Sequence, residues 1–528
     1  MRNKTVVGTL RFMGIALLTL WGTASLAAAE IKPPADLDAY AARVLKTFEV
    51  PGLAVAIVKD DKLVFAKGYG VRKLGDATPV DENTLFPIGS NTKAFTSALL
   101  ASLVDAGKMS WDDPVYERLP GFQMYDPYVS HEMTIRDLLT HRSGMGLGEG
   151  DLLFWPTTTY SRDDIIYKLR FMKPASSFRS RFAYDNLMYI AAGQIIPAIT
   201  GETWENYLKS HILDPLGMKT TTLSVAALKA SSDHAYPHER VDGVLKTIPF
   251  VALDNAAPAG SINSSVSEMS NWLRLQLNRG VFPDGKHLFS EAQSSEMWTP
   301  QTILPNRQFP GSLAHLKSDY AAYGLGWGLR DYHGQQLVEH TGGVAGFVSR
   351  VMLVPEQKLG VVILTNAESG GAFDSILFHI LDHYFGAPKT DWVDAFKSAE
   401  DKQFADAAEF MKRQNSERAD TKPSLPPEKY AGVYKDAWYG PATIRKENGG
   451  LVFTLDHTPA AIGDLTYWQY DTFKAHWRDR TMEDAFLTFT LKPDGSIDHF
   501  TMKAVSPLAD FSFDYQDLLF TPVNDEKH

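Results

Sequence analysis

The chain has 528 residues, 44% hydrophobic and 22% charged, which fits a globular protein with material for a packed core and more than one domain. A formal net charge of −11, with no basic tract to offset it, argues against nucleic acid or an anionic membrane as partner. Cysteine is absent, which excludes disulfides, zinc–thiolate sites, a cysteine nucleophile and a lipid-modified cysteine.

Arg2, Lys4 and Arg11 open the chain, Phe12 to Leu20 is apolar, and Ala27-Ala28-Ala29 offers a small-residue cleavage site before Glu30. This reads as a signal peptide over residues 1–29 and predicts a periplasmic or secreted protein. The apolar run is too short to span a bilayer, and no second stretch is long and apolar enough to predict a membrane span after processing. Leu53 to Val58 and Leu63 to Tyr69 are apolar runs joined by Lys59-Asp60-Asp61-Lys62, a β-hairpin pattern.

Asn91 to Ala106 carries helical apolar spacing and stops at Gly107, a good C-terminal cap. At its mouth, in FPIGSNTKAF, Ser90 stands three residues before Lys93, so on a helix the two share a face. A serine hydroxyl becomes a nucleophile when a neighbouring base takes its proton. Lysine is such a base only where burial or nearby cations hold it neutral, and Phe86, Phe95 and Leu99 are apolar neighbours fit to supply burial. A chain this long holds about one or two S-x-x-K matches by chance, and serine is a preferred helix cap. Taken alone, the motif therefore favours a capped core helix.

Further helices are predicted over Thr134 to Thr140, Leu187 to Ile199 and Val266 to Leu277, with Pro197 breaking or kinking the second near its end. Tyr184-Asp185-Asn186 immediately precedes the second and is the only Y-x-N in the chain. A phenol beside a lysine ammonium loses its proton more easily and can shuttle protons. Asn186 can donate and accept at once, so it suits orienting a lysine or binding a substrate amide. The plainer alternative is a buried tyrosine with a helix-capping asparagine.

From Leu325 the period changes to that of strands: Leu325–Leu329, Leu337–His340, Phe347–Val354 and Gly360–Thr365. His340-Thr341-Gly342-Gly343 ends the second of these. Its small residues would let a substrate lie alongside, and the Gly343 N–H is a candidate oxyanion donor. Strands at both ends of a mainly helical region predict an α+β fold with one antiparallel sheet covered by helices. Residues 391–427 are charged and helix-prone, then punctuated by Pro423, Pro426 and Pro427, which reads as a linker. Beyond Tyr430, short alternating runs with turns at Asn448-Gly449-Gly450 and Pro493-Asp494-Gly495 predict a small all-β barrel.

Other signals weigh less. His141 reads as structural, because no G-x-S-x-G elbow exists for it to serve. His131-Glu132 and His238-Glu239 lack the second histidine of H-E-x-x-H, so no metal site is expected. Phe154, Trp155, Tyr160 and Trp327 read as core or cleft wall, the 154–160 loop as one that shapes substrate choice.

The three triads, in order and on suitable elements, together with TIRDLLTHRSG (134–144), DPLGMKTT (214–221), PAGSINSSVSEMSNW (258–272) and YGLGWGL (323–329), carry a family likeness. The chain resembles the class C β-lactamase-like and penicillin-binding-protein-like serine hydrolases, a group with D-alanyl-D-alanine carboxypeptidases, D-aminopeptidases and esterases. The likeness runs from about residue 35 to about 386, and the tail, with YAGVYKD at 430–436, is similar to an appended lipocalin-like barrel. It implies a hydrolase domain over 30–390 and a barrel over 428–528. It also implies an acyl-enzyme at Ser90, formed without metal or organic cofactor. Lys93 and Tyr184 would manage the proton, the N–H groups of Ser90 and Gly343 would hold the oxyanion, and Asn186 and His340 would line the cleft.

One departure shifts the expected substrate. The β-lactamase pattern has lysine where His340 stands, and histidine is mostly neutral near pH 7. Weight moves to an exported peptidase on short, linearised or D-residue-containing peptides, the layout of peptidases of linearised cyclic peptides such as microcystin. The alternatives are a carboxylesterase and a penicillin-binding protein that acylates and stalls or is a weak β-lactamase. The barrel stays open between covering the cleft, mediating a homo-oligomer and stabilising the chain.

Overall fold

The computed structural model describes residues 32–305 and 309–523, so the expected leader over 1–29 lies outside the described residues. Strands β1 (Gly52–Lys59) and β2 (Lys62–Gly70) form the predicted hairpin. Asp60 and Asp61 both take left-handed φ, 49° and 62°. That is the two-residue turn whose twist suits a hairpin, and aspartate tolerates it.

β1 also pairs with the far end of the chain. The later strands are β3 (Thr302–Ile303), β4 (Ala321–Tyr323), β5 (Gly328–Tyr332), β6 (Gln335–Val344), β7 (Phe347–Val354) and β8 (Leu359–Thr365). The antiparallel sheet runs β2-β1-β8-β7-β6-β5-β4-β3. Along β1, Ala54, Ala56 and Val58 enter one apolar core while Leu53, Val55 and Ile57 enter a second. Alternate side chains point to opposite faces, so burial on both faces is what makes the strand read as a continuous apolar run.

The helices that matter for the site are α1 (Leu37–Phe48), α2 (Thr92–Asp105), α3 (Leu187–Thr200), α4 (Val266–Leu277), α5 (Gly370–Phe385) and α6 (Trp392–Ser416). α2, α3 and α4 pack in the first core, and α1, α5 and the opening turns of α6 in the second. Trp392 at the start of α6 donates to Asp382 of α5 at 2.7 Å, and beyond Phe396 the helix buries only Ala407.

Three local expectations change. α3 continues through Pro197 to Thr200 and stops at Gly201 (φ 76°). The helix expected over 134–140 is a single turn, Ile135–Leu138, closed by a Thr134–Asp137 capping box and followed by His141 at φ 53°. The strand expected from Leu325 begins at Gly328. A Cβ on Gly326 would lie 2.6 Å from Ser97 Oγ, so this glycine segment rests against α2 before the strand starts.

The chain ends in a closed barrel of eight antiparallel strands: β9 (Gly432–Lys435), β10 (Pro441–Glu447), β11 (Gly450–Leu455), β12 (Ile462–Gln469), β13 (Thr472–Trp477), β14 (Ala485–Leu491), β15 (Ile497–Ala504) and β16 (Leu519–Pro522). Tyr430, Phe453, Phe473, Phe489, Phe500 and Phe520 are buried in mutual edge-on, tilted or stacked contact, so aromatic rings fill this barrel. It docks on the hydrolase fold through the 154–168 region. Tyr160 donates to the Tyr439 carbonyl, Lys168 donates to the Trp438 carbonyl at 2.7 Å, and the Thr159 N–H donates to the His457 carbonyl at 2.9 Å. Among the described residues no helix is long and apolar enough to cross a membrane.

Candidate active site

Ser90 sits on a 3₁₀ turn, Gly89–Asn91, between a short pairing of Phe86–Pro87 with Asn263–Ser264 and the start of α2. The turn is pressed backbone-to-backbone against β6. A Cβ on Gly342 would lie 1.9 Å from the Ile88 carbonyl oxygen, and one on Gly89, which has φ 52°, 2.8 Å from the Gly343 nitrogen. Both close approaches require glycine, which accounts for Gly89 and for Gly342 of the third triad, while Gly343 has open space at its Cα. Ser90 makes no capping bond to α2.

α2 is buried on nearly every side, and Lys93 with it. Its Nζ donates to Ser90 Oγ at 2.9 Å, Asn186 Oδ1 at 2.7 Å and the Ala259 carbonyl at 3.0 Å. Burial pushes the Lys93 pKa down to about 7, with the carboxyls of Asp151 and Asp185 pulling it back up. A lysine so held is substantially neutral at physiological pH and has a hydrogen-bonded serine within reach.

The second triad turns into α3. His141 Nδ1 accepts the Asp185 N–H at 3.0 Å, and Asp185 Oδ1 accepts the N–H groups of Leu187 and Met188 at 3.0 and 3.3 Å. The aspartate is therefore the cap, which leaves the Asn186 side chain free to meet Lys93. The Lys93 Nζ lies 4.9 Å from the Tyr184 ring. Burial pushes the Tyr184 phenol up, opposed by a hydrogen bond with Ser90. The expected easing of the phenol's proton by the lysine is reversed: the ammonium, not the phenol, is the group poised to titrate near neutrality.

His340 Nδ1 lies 2.5 Å from the Thr341 carbonyl oxygen, an acceptor only, so this nitrogen carries the proton. Nε2 then accepts the Tyr323 hydroxyl at 2.8 Å. Burial pushes the His340 pKa down to about 3, helped by the Lys93 charge, so the ring is neutral and supplies no cation to the cleft.

The cleft measures about 1210 Å³, and Ser90, Tyr184, Asn186, His340 and Gly343 all line it. Phe154 and Trp155 form cleft wall and Trp327 is core, both as expected, and Tyr160, also buried, donates to the barrel. His141 is structural, holding the turn after Tyr184, and its ring centre lies 4.2 Å from that of Tyr184. His238 is tied to the Asn366 carbonyl and the Leu74 N–H at 2.8 and 2.9 Å.

Sequence reasoning missed a second layer. Buried Asp151 accepts Asn186 Nδ2 at 2.9 Å and the hydroxyl of Ser512, from the barrel, at 2.8 Å, both on Oδ2. Asp514, also buried, accepts the N–H groups of Gly150 and Leu152 at 2.6 and 3.2 Å. Phe511 packs edge-on to Tyr184 with ring centres 5.9 Å apart. The available signal was an acid set among apolar residues, GDLLFW and DFSFDY.

A family model described as Beta-lactamase matches residues 37–384, and a second, described as a domain of unknown function (DUF3471), matches 416–522. Among related proteins, unguisins hydrolase ungD of Aspergillus violaceofuscus is 29% identical over 435 residues, 77% of this chain and 75% of its own. Unguisins hydrolase ungD' of Aspergillus campestris is 30% identical over 426 residues, 77% and 76%. Penicillin-binding protein 4 of Amycolatopsis lactamdurans is 29% identical over 347 residues, 63% and 85%. An octameric penicillin-binding protein homologue from Pyrococcus abyssi shares the fold at TM-score 0.58 and 22% identity over 92% of this chain and 99% of that one. SurE does so at 0.54 and 19%, over 93% and 99%. A match over most of the chain, with relatives that are hydrolases and penicillin-binding proteins, makes this protein a member of the beta-lactamase family of serine hydrolases.

Proposed function

We propose that the protein is an exported peptidase that forms an acyl-enzyme at Ser90 with short, linearised or D-residue-containing peptides. The observation that carries this is the 2.9 Å contact between Ser90 Oγ and a lysine amine held near neutrality. Neutral Lys93 takes the Ser90 proton as Oγ attacks the peptide carbonyl. The N–H groups of Ser90 and Gly343 receive the oxyanion. Tyr184 hands its proton to the departing amine and regains one from the Lys93 ammonium, and water then releases the acyl group.

One observation favours a peptide over an anionic β-lactam: His340 is neutral, so it offers no charge to a substrate carboxylate. A penicillin-binding relative at 29% identity supports the second reading, slow acylation by β-lactams, and the carboxylesterase alternative uses the same residues.

The test is a panel of L- and D-configured peptides and p-nitrophenyl esters, run on wild type and Ser90→Ala. Peptide turnover lost in Ser90→Ala is the expected result. Turnover that survives the substitution overturns the mechanism, and ester turnover without peptide turnover replaces peptidase with esterase.

A further inference from the structure

Behind Lys93 lies a buried carboxyl that the acyl-transfer steps do not use. Asp151 is fully buried, and only its Oδ2 is engaged, by Asn186 Nδ2 at 2.9 Å and Ser512 Oγ at 2.8 Å. This matters because the Asn186 amide has two unlike ends. With its NH₂ anchored on a carboxyl oxygen, the amide oxygen must face Lys93, where it accepts at 2.7 Å. Without that anchor the amide can turn over and present N–H donors to an ammonium, a repulsive contact.

The barrel supplies the anchor's own support. Ser512 fixes the Asp151 carboxyl, and two residues on, Asp514 holds the N–H groups of Gly150 and Leu152 on either side of Asp151. Both the side chain and the backbone of Asp151 are thus set by a segment lying 361 residues further along the chain. We infer that Asp151 is a positioning residue for Lys93, acting through Asn186, and that the C-terminal barrel holds it there through Ser512 and Asp514. The barrel is on this account part of the catalytic apparatus. The inference rests on the reading of Lys93 as the base for Ser90.

Lys93 is faced by Ser90 and Asn186, the rings of Tyr184 and Tyr189, the carboxyls of Asp151 and Asp185, and the imidazoles of His141 and His340. Of these, Asp151 exerts the larger upward pull on the amine. Burial pushes the Asp151 carboxyl well above the usual carboxylate range, and the Ser512 and Asn186 hydrogen bonds oppose this by favouring its ionised form. Removing the Ser512 hydroxyl should therefore favour the neutral carboxyl further, weaken that pull and move the acid limb of Ser90 reactivity to lower pH.

The experiment uses the full chain and a fluorophosphonate probe, with labelling rate measured from pH 5 to 9 and the apparent Tm of each variant recorded. Ser512→Ala is expected to label about tenfold more slowly, the loss of one hydrogen bond to a buried acceptor, with the acid limb shifted to lower pH. Ser512→Thr should restore both, and Asp151→Asn should show both effects more strongly. An unshifted limb in Ser512→Ala overturns the inference whatever the rate does, since a merely structural role would slow labelling without moving it. If Asp151→Asn fails to fold, Ser512→Ala decides alone. Labelling that persists in Ser90→Ala sinks the acyl-enzyme reading itself, a result distinct from failure of the positioning role.

Discussion

Replacing Lys93 with methionine should inactivate the protein and yet stabilise it in acid. The side chain stays unbranched, one atom shorter, and loses its charge. The fall in the Lys93 pKa from 10.5 to about 7 corresponds to about 5 kcal/mol of native-state penalty at pH 6, at 1.36 kcal/mol per unit. Between pH 7 and 10.5 the unfolded chain holds this proton and the native one does not, so the penalty shrinks as pH rises, to about 2 kcal/mol at pH 9. Methionine removes the penalty but also forfeits the bonds to Ser90, Asn186 and Ala259, worth about 1 kcal/mol each. The net effect is a gain of about 2 kcal/mol at pH 6 and a loss of about 1 kcal/mol at pH 9. For a chain of this size 1 kcal/mol moves Tm by about 1 °C. The difference in melting temperature, read by differential scanning fluorimetry, should thus swing by about 3 °C and change sign between the two pH values. Turnover should fall by about 10²- to 10⁴-fold, the usual worth of a general base. A Tm lowered equally at both pH values, or peptide turnover that persists, would refute the reasoning.

Wild-type kcat/KM should rise as pH passes through about 7, where Lys93 loses its proton, and show no limb from His340, which stays neutral down to about pH 3. A limb near the ordinary histidine value that disappears in His340→Gln would contradict this. Tyr184→Phe should cost about 10²- to 10⁴-fold in kcat while leaving the fold intact by circular dichroism. Gly342→Ala, whose Cβ would lie 1.9 Å from the Ile88 oxygen, should destabilise the chain by a few kcal/mol and abolish turnover. Gly343→Ala, with open space at the same atom, should melt like wild type. Tyr160→Phe removes the bond to the Tyr439 carbonyl and should weaken barrel docking by about 1 kcal/mol, visible as faster limited proteolysis between α6 and β9.

Much of the layout was legible because it is written locally. The hairpin around Asp60-Asp61 and the helix over Val266–Leu277 follow from turn chemistry and apolar period, and their observed bounds agree closely with the expected ones. Ser90, Tyr184, Asn186 and His340 stand out as polar residues in short motifs and line one cleft, with Lys93 buried beneath it against Ser90 and Asn186. What stayed hidden depends on distance. β3 has two residues and β4 three, with no period to detect. The glycine run at 324–328 packs on α2, so tertiary contact overrode its apolar composition. Asp185 and Asn186 compete for the same helix cap, and only the placement of Lys93 shows why the aspartate takes it. Asp151 and Ser512 have no common motif, since their contact spans most of the chain.

That the cleft borrows Leu508 and residues 510–513 from the barrel has a consequence in time as well as in space. A chain made from its N-terminus exposes the Ser90 turn long before the last wall of the cleft exists. Until the barrel closes, Ser90 faces an unfinished groove, so the protein acquires its enclosed site only at the end of synthesis. A translation product cut short before Phe511 would carry every residue of the three triads and still lack the room in which they meet a substrate.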